Sequence, residues 1–138
     1  MTDPVAPVDP RLIEAPSALQ NLLGYRLTSW SEGFAVIEQA LEPKLMNRQG
    51  IPHGGVHATL LDTTMGYAGC YTGDPEKRQL ALTLSMSVNF IGRATGTRLI
   101  ATARVSGGGR SIFFAEGRLT DDTGTLVATS TGTFRLRR

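Results

Sequence analysis

The sequence has one cysteine, two histidines and one tryptophan, and each scarcity removes a class of protein. Cys70 alone cannot close an internal disulfide, and its solitude fits a reducing compartment. Set in an apolar stretch, it reads as a buried inert thiol and not as a catalytic thiolate. His53 and His57 have the i, i+4 spacing of two metal ligands, but "HGGVH" lacks the glutamate of a zinc-protease motif. Asp62, five residues beyond His57, falls on the opposite side of a helix, so no third ligand is in view and no metal is expected. Charge of either sign is also sparse. Fourteen Lys and Arg against twelve Asp and Glu leave a net charge of +2. Arg135, Arg137 and Arg138 in the tail supply more than that excess, with no interleaved aromatic stripe, so no nucleic-acid partner is expected.

Other signatures are missing too. There is no G-x-S-x-G elbow for a serine hydrolase. Gly107-Gly108-Gly109-Arg110 has neither the Lys-Ser/Thr nor the following helix of a P-loop; it reads as a hairpin turn whose Arg110 can meet a phosphate at the surface. The opening "MTDPVAPVDP" carries acids and three prolines where a signal peptide would carry basic and then apolar residues. It reads as a flexible leader, residues 1–17, ahead of one domain over 18–138. The most apolar segment, Gly54–Gly73, is long enough to span a bilayer, yet it holds Asp62, His57, four threonines and five glycines. That composition argues against a membrane span, and the expected location is the cytoplasm.

What is present follows a simple order. Ala18–Leu23 reads as a short helix stopped by Gly24. Two short strands follow, Tyr25–Trp30 and Phe34–Leu41, divided by Ser31-Glu32-Gly33. Gly54 to about Tyr71 has helical spacing but is apolar nearly all round, which predicts a helix buried on all sides. "LALTLSMSVNF" then alternates without a break, with Leu80, Leu82, Leu84, Met86, Val88 and Phe90 on one predicted buried face. Arg98–Val105, Ser111–Leu119 and Leu126–Leu136 complete the strands, and their short connections permit only antiparallel hairpins. Together these patterns predict an α+β domain: a bent antiparallel sheet wrapped around one central helix.

Asp62 is the one formally charged side chain between Gly54 and Gly73. A carboxylate among apolar neighbours is costly, and no lysine or arginine lies within helical reach to pair with it. A hydrogen bond to a nearby threonine would be a purely structural explanation; a general base or a nucleophile is the functional one. At the helix start, Gly54 and Gly55 allow close approach of a ligand to unsatisfied amide N–H groups, where the helix dipole favours negative charge. Such amides can stabilise an oxyanion, and His53 just before them can donate to a carbonyl. Gly54 and Asp62 are eight residues apart, about 12 Å along one helix. A base and an oxyanion donor must both lie within about 3 Å of one reacting group. A site using both therefore draws Asp62 from one subunit and Gly54 from another, in a two-fold dimer.

The stretch "NRQGIPHGGVHATLLDTTMGYA", with the helix and strands around it, resembles hotdog-fold acyl-CoA thioesterases of the phenylacetate-degradation (PaaI-like) subgroup. The resemblance runs from about Ala18 to Leu136, and its specific part is N-R-x-G-x-x-H-G-G followed by Asp62. It implies hydrolysis of an acyl-CoA thioester to free acid and coenzyme A. No separate cofactor is implied, since coenzyme A is part of the substrate. It also implies dimers sharing one continuous sheet, often paired into tetramers, with active sites at the dimer interface. By position, Asp62 matches the catalytic carboxylate and Gly54 the oxyanion-binding amide. His53 matches the residue polarising the carbonyl, Asn47 the asparagine orienting water and loop, and Thr83 a hydroxyl near the carboxylate. Where relatives often carry Arg-Pro after the long strand, this chain has Gly92-Arg93-Ala94, which makes Arg93 the candidate for a coenzyme A phosphate there. Two rivals share the fold: hydroxyacyl thioester dehydratases, whose motif is not found here, and non-catalytic acyl-CoA binding or sensing proteins, which have no use for a lone acid.

Overall fold

The computed structural model describes residues 6–137; the first five residues of the expected leader, and Arg138, lie outside them. Helix α1 (Ala18–Leu23) starts at Ser17, whose hydroxyl accepts from the Gln20 N–H, and stops at Gly24 in the left-handed region at φ 91°. Both ends follow from residue type, a hydroxyl as N-cap and a glycine where a Cβ would be strained. Strands β1 (Arg26–Ser31) and β2 (Phe34–Ala40) form a hairpin, and α2 runs from Gly54 to Cys70. Then come β3 (Leu80–Phe90), β4 (Arg98–Gly108), β5 (Ile112–Asp121) and β6 (Leu126–Arg137).

The six strands make one antiparallel sheet in the order β1-β2-β4-β5-β6-β3. The seven-residue stretch 91–97 carries the chain from β3 at one edge to β4 inside the sheet, while the tight turns after β4 and β5 give hairpins, as their lengths require. Helix α2 packs against the concave face. Its buried residues recur as Val56 and His57, Leu60 and Leu61, Thr64 and Met65, then Ala68, one pair per turn. They meet Ile37, Leu99, Leu119, Val127 and Phe134, and each fully buried Leu or Phe contributes about 1.5–3 kcal/mol. Small residues on the strands let the helix come close. A Cβ on Gly117 would lie 3.1 Å from Leu61 and 2.8 Å from the Ser130 hydroxyl.

Two expectations are corrected here. Helix α2 is not buried on all sides: Gly55, Thr59, Asp62, Thr63 and Gly66 form a stripe left half-buried or exposed, because the sheet covers it from one side only. Nor does β3 bury one continuous apolar face. Thr83 pairs with Phe134 and Ser85 with Thr133, so Leu84 is an extra residue in a bulge that reverses the alternation. Ala81 and Thr83 face the helix before it, Met86 and Val88 after it. Leu80, Leu82 and Leu84 are left exposed, at 58%, 47% and 55% of their surface. Among the described residues no helix is long and apolar enough to cross a membrane.

Residues 9–14, within the expected leader, lie against the body of the domain. Asp9 caps a 3-10 turn at Pro10–Leu12, Leu12 is buried, and Glu14 forms an ion pair with Arg78 at 3.0 Å.

Candidate active site

Asp62 lies in the second turn-pair of α2, on its open stripe, and accepts a 2.6 Å hydrogen bond from the Thr83 hydroxyl across on β3. The bulge at Leu84 decides this contact, since it sets the phase in which Thr83 points at the helix. A bond this short orients the carboxyl group and leaves its other oxygen for a ligand or water. The hydroxyl partner was anticipated as a structural alternative, and the residue is half-buried and not sealed, so it can do both.

Beside it opens a cavity of about 250 Å³. Its floor is α2 (Thr63, Gly66, Tyr67, Cys70), and Trp30, Phe134, Ala81 and Glu14 contribute walls. The indole of Trp30 donates to the Tyr67 carbonyl at 2.7 Å and stacks edge-on against the Tyr67 and Tyr71 rings. Burial, with the Glu14 charge adding to it, pushes the Cys70 thiol up to about 12, so it stays protonated at neutral pH and is no nucleophile. Burial likewise pushes the Tyr67 phenol up to about 12. Of this lining, helical spacing from Asp62 could have found Gly66 (i+4) and Cys70 (i+8). Trp30 and Glu14 reach the cavity only through the tertiary fold, and no local signal marks them.

The second group of expected residues lies at the other end of α2. His53 is the N-cap, and its Nδ1 accepts from the Gly55 N–H at 2.8 Å. An accepting Nδ1 leaves the ring proton on Nε2, where it can be donated outward. The Val56 N–H is taken by the His53 carbonyl at 2.9 Å. Gly54 is therefore the first-turn residue whose amide has no acceptor among the described residues, as an oxyanion donor requires. A Cβ at Gly54 would lie 3.2 Å from the Phe90 ring, which explains a glycine there. Asn47 braces the loop before the helix: its side-chain oxygen accepts from the Gln49 N–H at 2.8 Å and the Ile51 N–H at 3.4 Å. Arg93 and Phe90 line a further hollow here with His57, whose buried Nδ1 has no hydrogen-bond partner among the described residues and whose pKa is lowered, chiefly by burial.

The fold thus brings Asp62 to Thr83, and sets His53 and Gly54 at the start of α2 with Asn47 in the loop before them and Arg93 near His57. It does not bring the two groups together within one chain, because the straight helix holds Gly54 and Asp62 about 12 Å apart. Arg110 lies elsewhere again, in the β4–β5 turn at the end of the sheet where β3 begins. Among the described residues no three His, Cys, Asp or Glu side chains gather as a metal site would need.

Residues 49–128 match the thioesterase superfamily. A Pseudomonas aeruginosa protein, PA0474, which carries the provisional name of an esterase, is 33% identical over 102 residues, 73% of this chain and 74% of its own length. The solved structure of the conserved protein PA5202 from Pseudomonas aeruginosa superposes with a TM-score of 0.81 at 29% identity, covering 95% of this chain and all of that one. The BH2602 protein of Bacillus halodurans, crystallised with CoA, does so with a TM-score of 0.75 at 27% identity, over 89% and 78% of the two chains. The chain belongs to the thioesterase superfamily, and its sheet around a long helix is the hotdog fold.

Proposed function

From that membership we propose that this chain is a thioester hydrolase that cleaves acyl-CoA to free acid and coenzyme A, within the PaaI-like subgroup. The observation that carries the proposal is Asp62, the one charged residue of α2, oriented by Thr83 beside a cavity walled in part by Trp30, Phe134 and Ala81. Superfamily membership and the esterase name of PA0474 support thioester hydrolysis in general. The CoA held by BH2602 supports the coenzyme A half of the substrate.

In this reading the acyl group enters the cavity and its carbonyl carbon lies beside Asp62. The carboxylate takes a proton from water as the water oxygen attacks that carbon; attack by the carboxylate itself, followed by hydrolysis of the anhydride, is the other route the same geometry serves. The carbonyl oxygen becomes an oxyanion, held by the Gly54 amide with His53 Nε2–H beside it. The C–S bond then breaks and the thiolate of coenzyme A leaves, collecting a proton. Asn47 keeps the loop before Gly54 in place, and Arg93 and Arg110 meet the phosphates of coenzyme A. No further cofactor takes part.

Because Gly54 and Asp62 are about 12 Å apart along α2, the Gly54 amide at each site comes from a second copy of the chain. The edge strand β3 supports this. It is eleven residues long and exposes Leu80, Leu82, Leu84 and Phe90, a template for pairing with another strand. Such dimers would pair into tetramers, in the cytoplasm.

The test is thiol release from aromatic, short, medium and long acyl-CoAs by the wild type and by Asp62→Asn. The variant keeps the side chain's shape and removes the base, so turnover falls by about 10²-fold or more. A folded variant with wild-type turnover would sink the proposal.

A further inference from the structure

The cavity beside Asp62 has a polar far end that the proposed chemistry does not use. Tyr67 is five residues along α2 from Asp62, a rise of about 7.5 Å. Its hydroxyl donates to Glu14 Oε1 at 3.3 Å, and Arg78 donates to Glu14 Oε2 at 3.0 Å. Glu14 is set there by the segment before α1: Leu12 is buried, and the Arg78 guanidinium also reaches the Leu12 carbonyl at 3.5 Å. This second carboxylate, at the far end of the cavity from Asp62 and carried by a separate segment, is not required by the packing of the sheet or the helix.

The donors that touch Glu14 and Tyr67 are already engaged with them, while the Gln79 side chain lines the cavity as well. Tyr67 has one hydroxyl hydrogen, and it goes to Glu14; its phenol stays protonated at neutral pH. The Trp30 N–H goes to the Tyr67 carbonyl. Arg78 faces Glu14. What Tyr67 and Glu14 still offer the cavity is acceptor capacity: the phenol oxygen and the unused lone pairs of the Glu14 carboxylate. An incoming group with a donor at its tip satisfies them, an alkyl tip strips water from the carboxylate and leaves it only its bonds to Tyr67 and Arg78, and a carboxylate tip adds like-charge repulsion.

The geometry points to Glu14 as a specificity-determining residue that selects acyl groups ending in a hydrogen-bond donor, such as a terminal hydroxyl, over alkyl-ended and carboxylate-ended ones of equal length. This rests on the reading that the acyl group enters the cavity, and it is independent of which residue performs the chemistry.

The test reads binding without turnover. Three non-hydrolysable thioether analogues, S-hexyl-CoA, its ω-hydroxy form and its ω-carboxy form, are titrated into the full chain while the fluorescence of Trp30, the single tryptophan, is followed. The hydroxy analogue should bind about tenfold tighter than the alkyl one, and the carboxy analogue about tenfold weaker. Glu14→Ala should bring the hydroxy and alkyl analogues within about twofold of each other, and the carboxy analogue should no longer be disfavoured, since Arg78 loses its partner. Glu14→Gln, which preserves size and one acceptor, should admit the carboxy analogue while keeping the preference for hydroxyl, so the test survives if the alanine variant does not fold. Equal affinities in the wild type, unchanged ratios in a folded Glu14→Ala, or no quenching of Trp30 by any analogue would overturn the inference. Failed turnover with the expected binding ratios would instead count against the hydrolase reading alone.

Discussion

Thr83 is needed beside Asp62 for one atom, its hydroxyl, which supplies the 2.6 Å bond to the carboxylate. Thr83→Val keeps the branched shape and deletes that donor. Because Thr83 is exposed on an edge strand, the melting temperature should hardly move, while kcat should fall about tenfold as the carboxylate loses its orientation. Thr83→Ser should restore most of the rate. If the valine variant turns over like the wild type, the bond does not position Asp62. Asp62 itself was visible as an isolated charge in the sequence; Thr83 was expected near it only through a family resemblance. Strict alternation put Thr83 on the polar face, and only its pairing with β6 turns it toward the helix.

At the level of elements, helix and strands meet through small residues. Gly69 on α2 faces the Phe113 ring of β5 so closely that a Cβ there would overlap it, and Phe113 is itself stacked on Phe134 with ring centroids 5.0 Å apart. Gly69→Ala should therefore destabilise the fold by about 1–3 kcal/mol, read as a lowered melting temperature, even though alanine is the better helix former. An unchanged melting temperature would mean the ring pair yields freely. The element boundaries were largely legible: α1 is Ala18–Leu23, stopped at Gly24, and α2 ends at Cys70. The bulge in β3 was not, because one extra leucine in a run of alternating leucines leaves no mark until the partner strand fixes the count.

At the scale of the molecule, two predictions separate assembly from stability. The shared-site proposal is tested by mixing Asp62→Ala with Gly54→Pro, proline being tolerated at a helix's first turn while lacking the N–H. About half the dimers are then mixed, each with one intact site, so activity should recover to about a quarter of wild type. Demonstrated subunit exchange without recovery would refute a shared site. Stability in acid turns on Asp121, buried at the β5–β6 turn, where it accepts from the Thr123 hydroxyl and the Thr95, Gly96, Thr123 and Thr125 amides. The Thr123 hydroxyl above all, with these amides, holds its carboxyl well below the usual carboxylate range. A depressed folded-state pKa stabilises the fold fully above the unfolded value of about 4 and loses that contribution as pH falls through the folded one. Melting temperature should thus drop on acidification below about pH 4. In Asp121→Asn it should be lower at neutral pH and fall less steeply; an identical acid profile would remove Asp121 from the account.

The sequence by itself determined the elements, the sheet-around-helix class, the Asp62 carboxylate and the glycine start of α2, because periodicity, caps and an isolated charge are local properties of a chain. It also determined the 12 Å that one helix puts between Gly54 and Asp62, since helical rise is independent of the fold. Only the tertiary structure decided that α2 keeps one stripe open, that β3 reverses its faces at Leu84, and that Trp30 and Glu14 wall the cavity beside Asp62. Those facts depend on which strands pair and in what register, and on where a segment tens of residues away comes to rest. Contacts such as Glu14 with Tyr67, 53 positions apart, have no counterpart in any local pattern of residues.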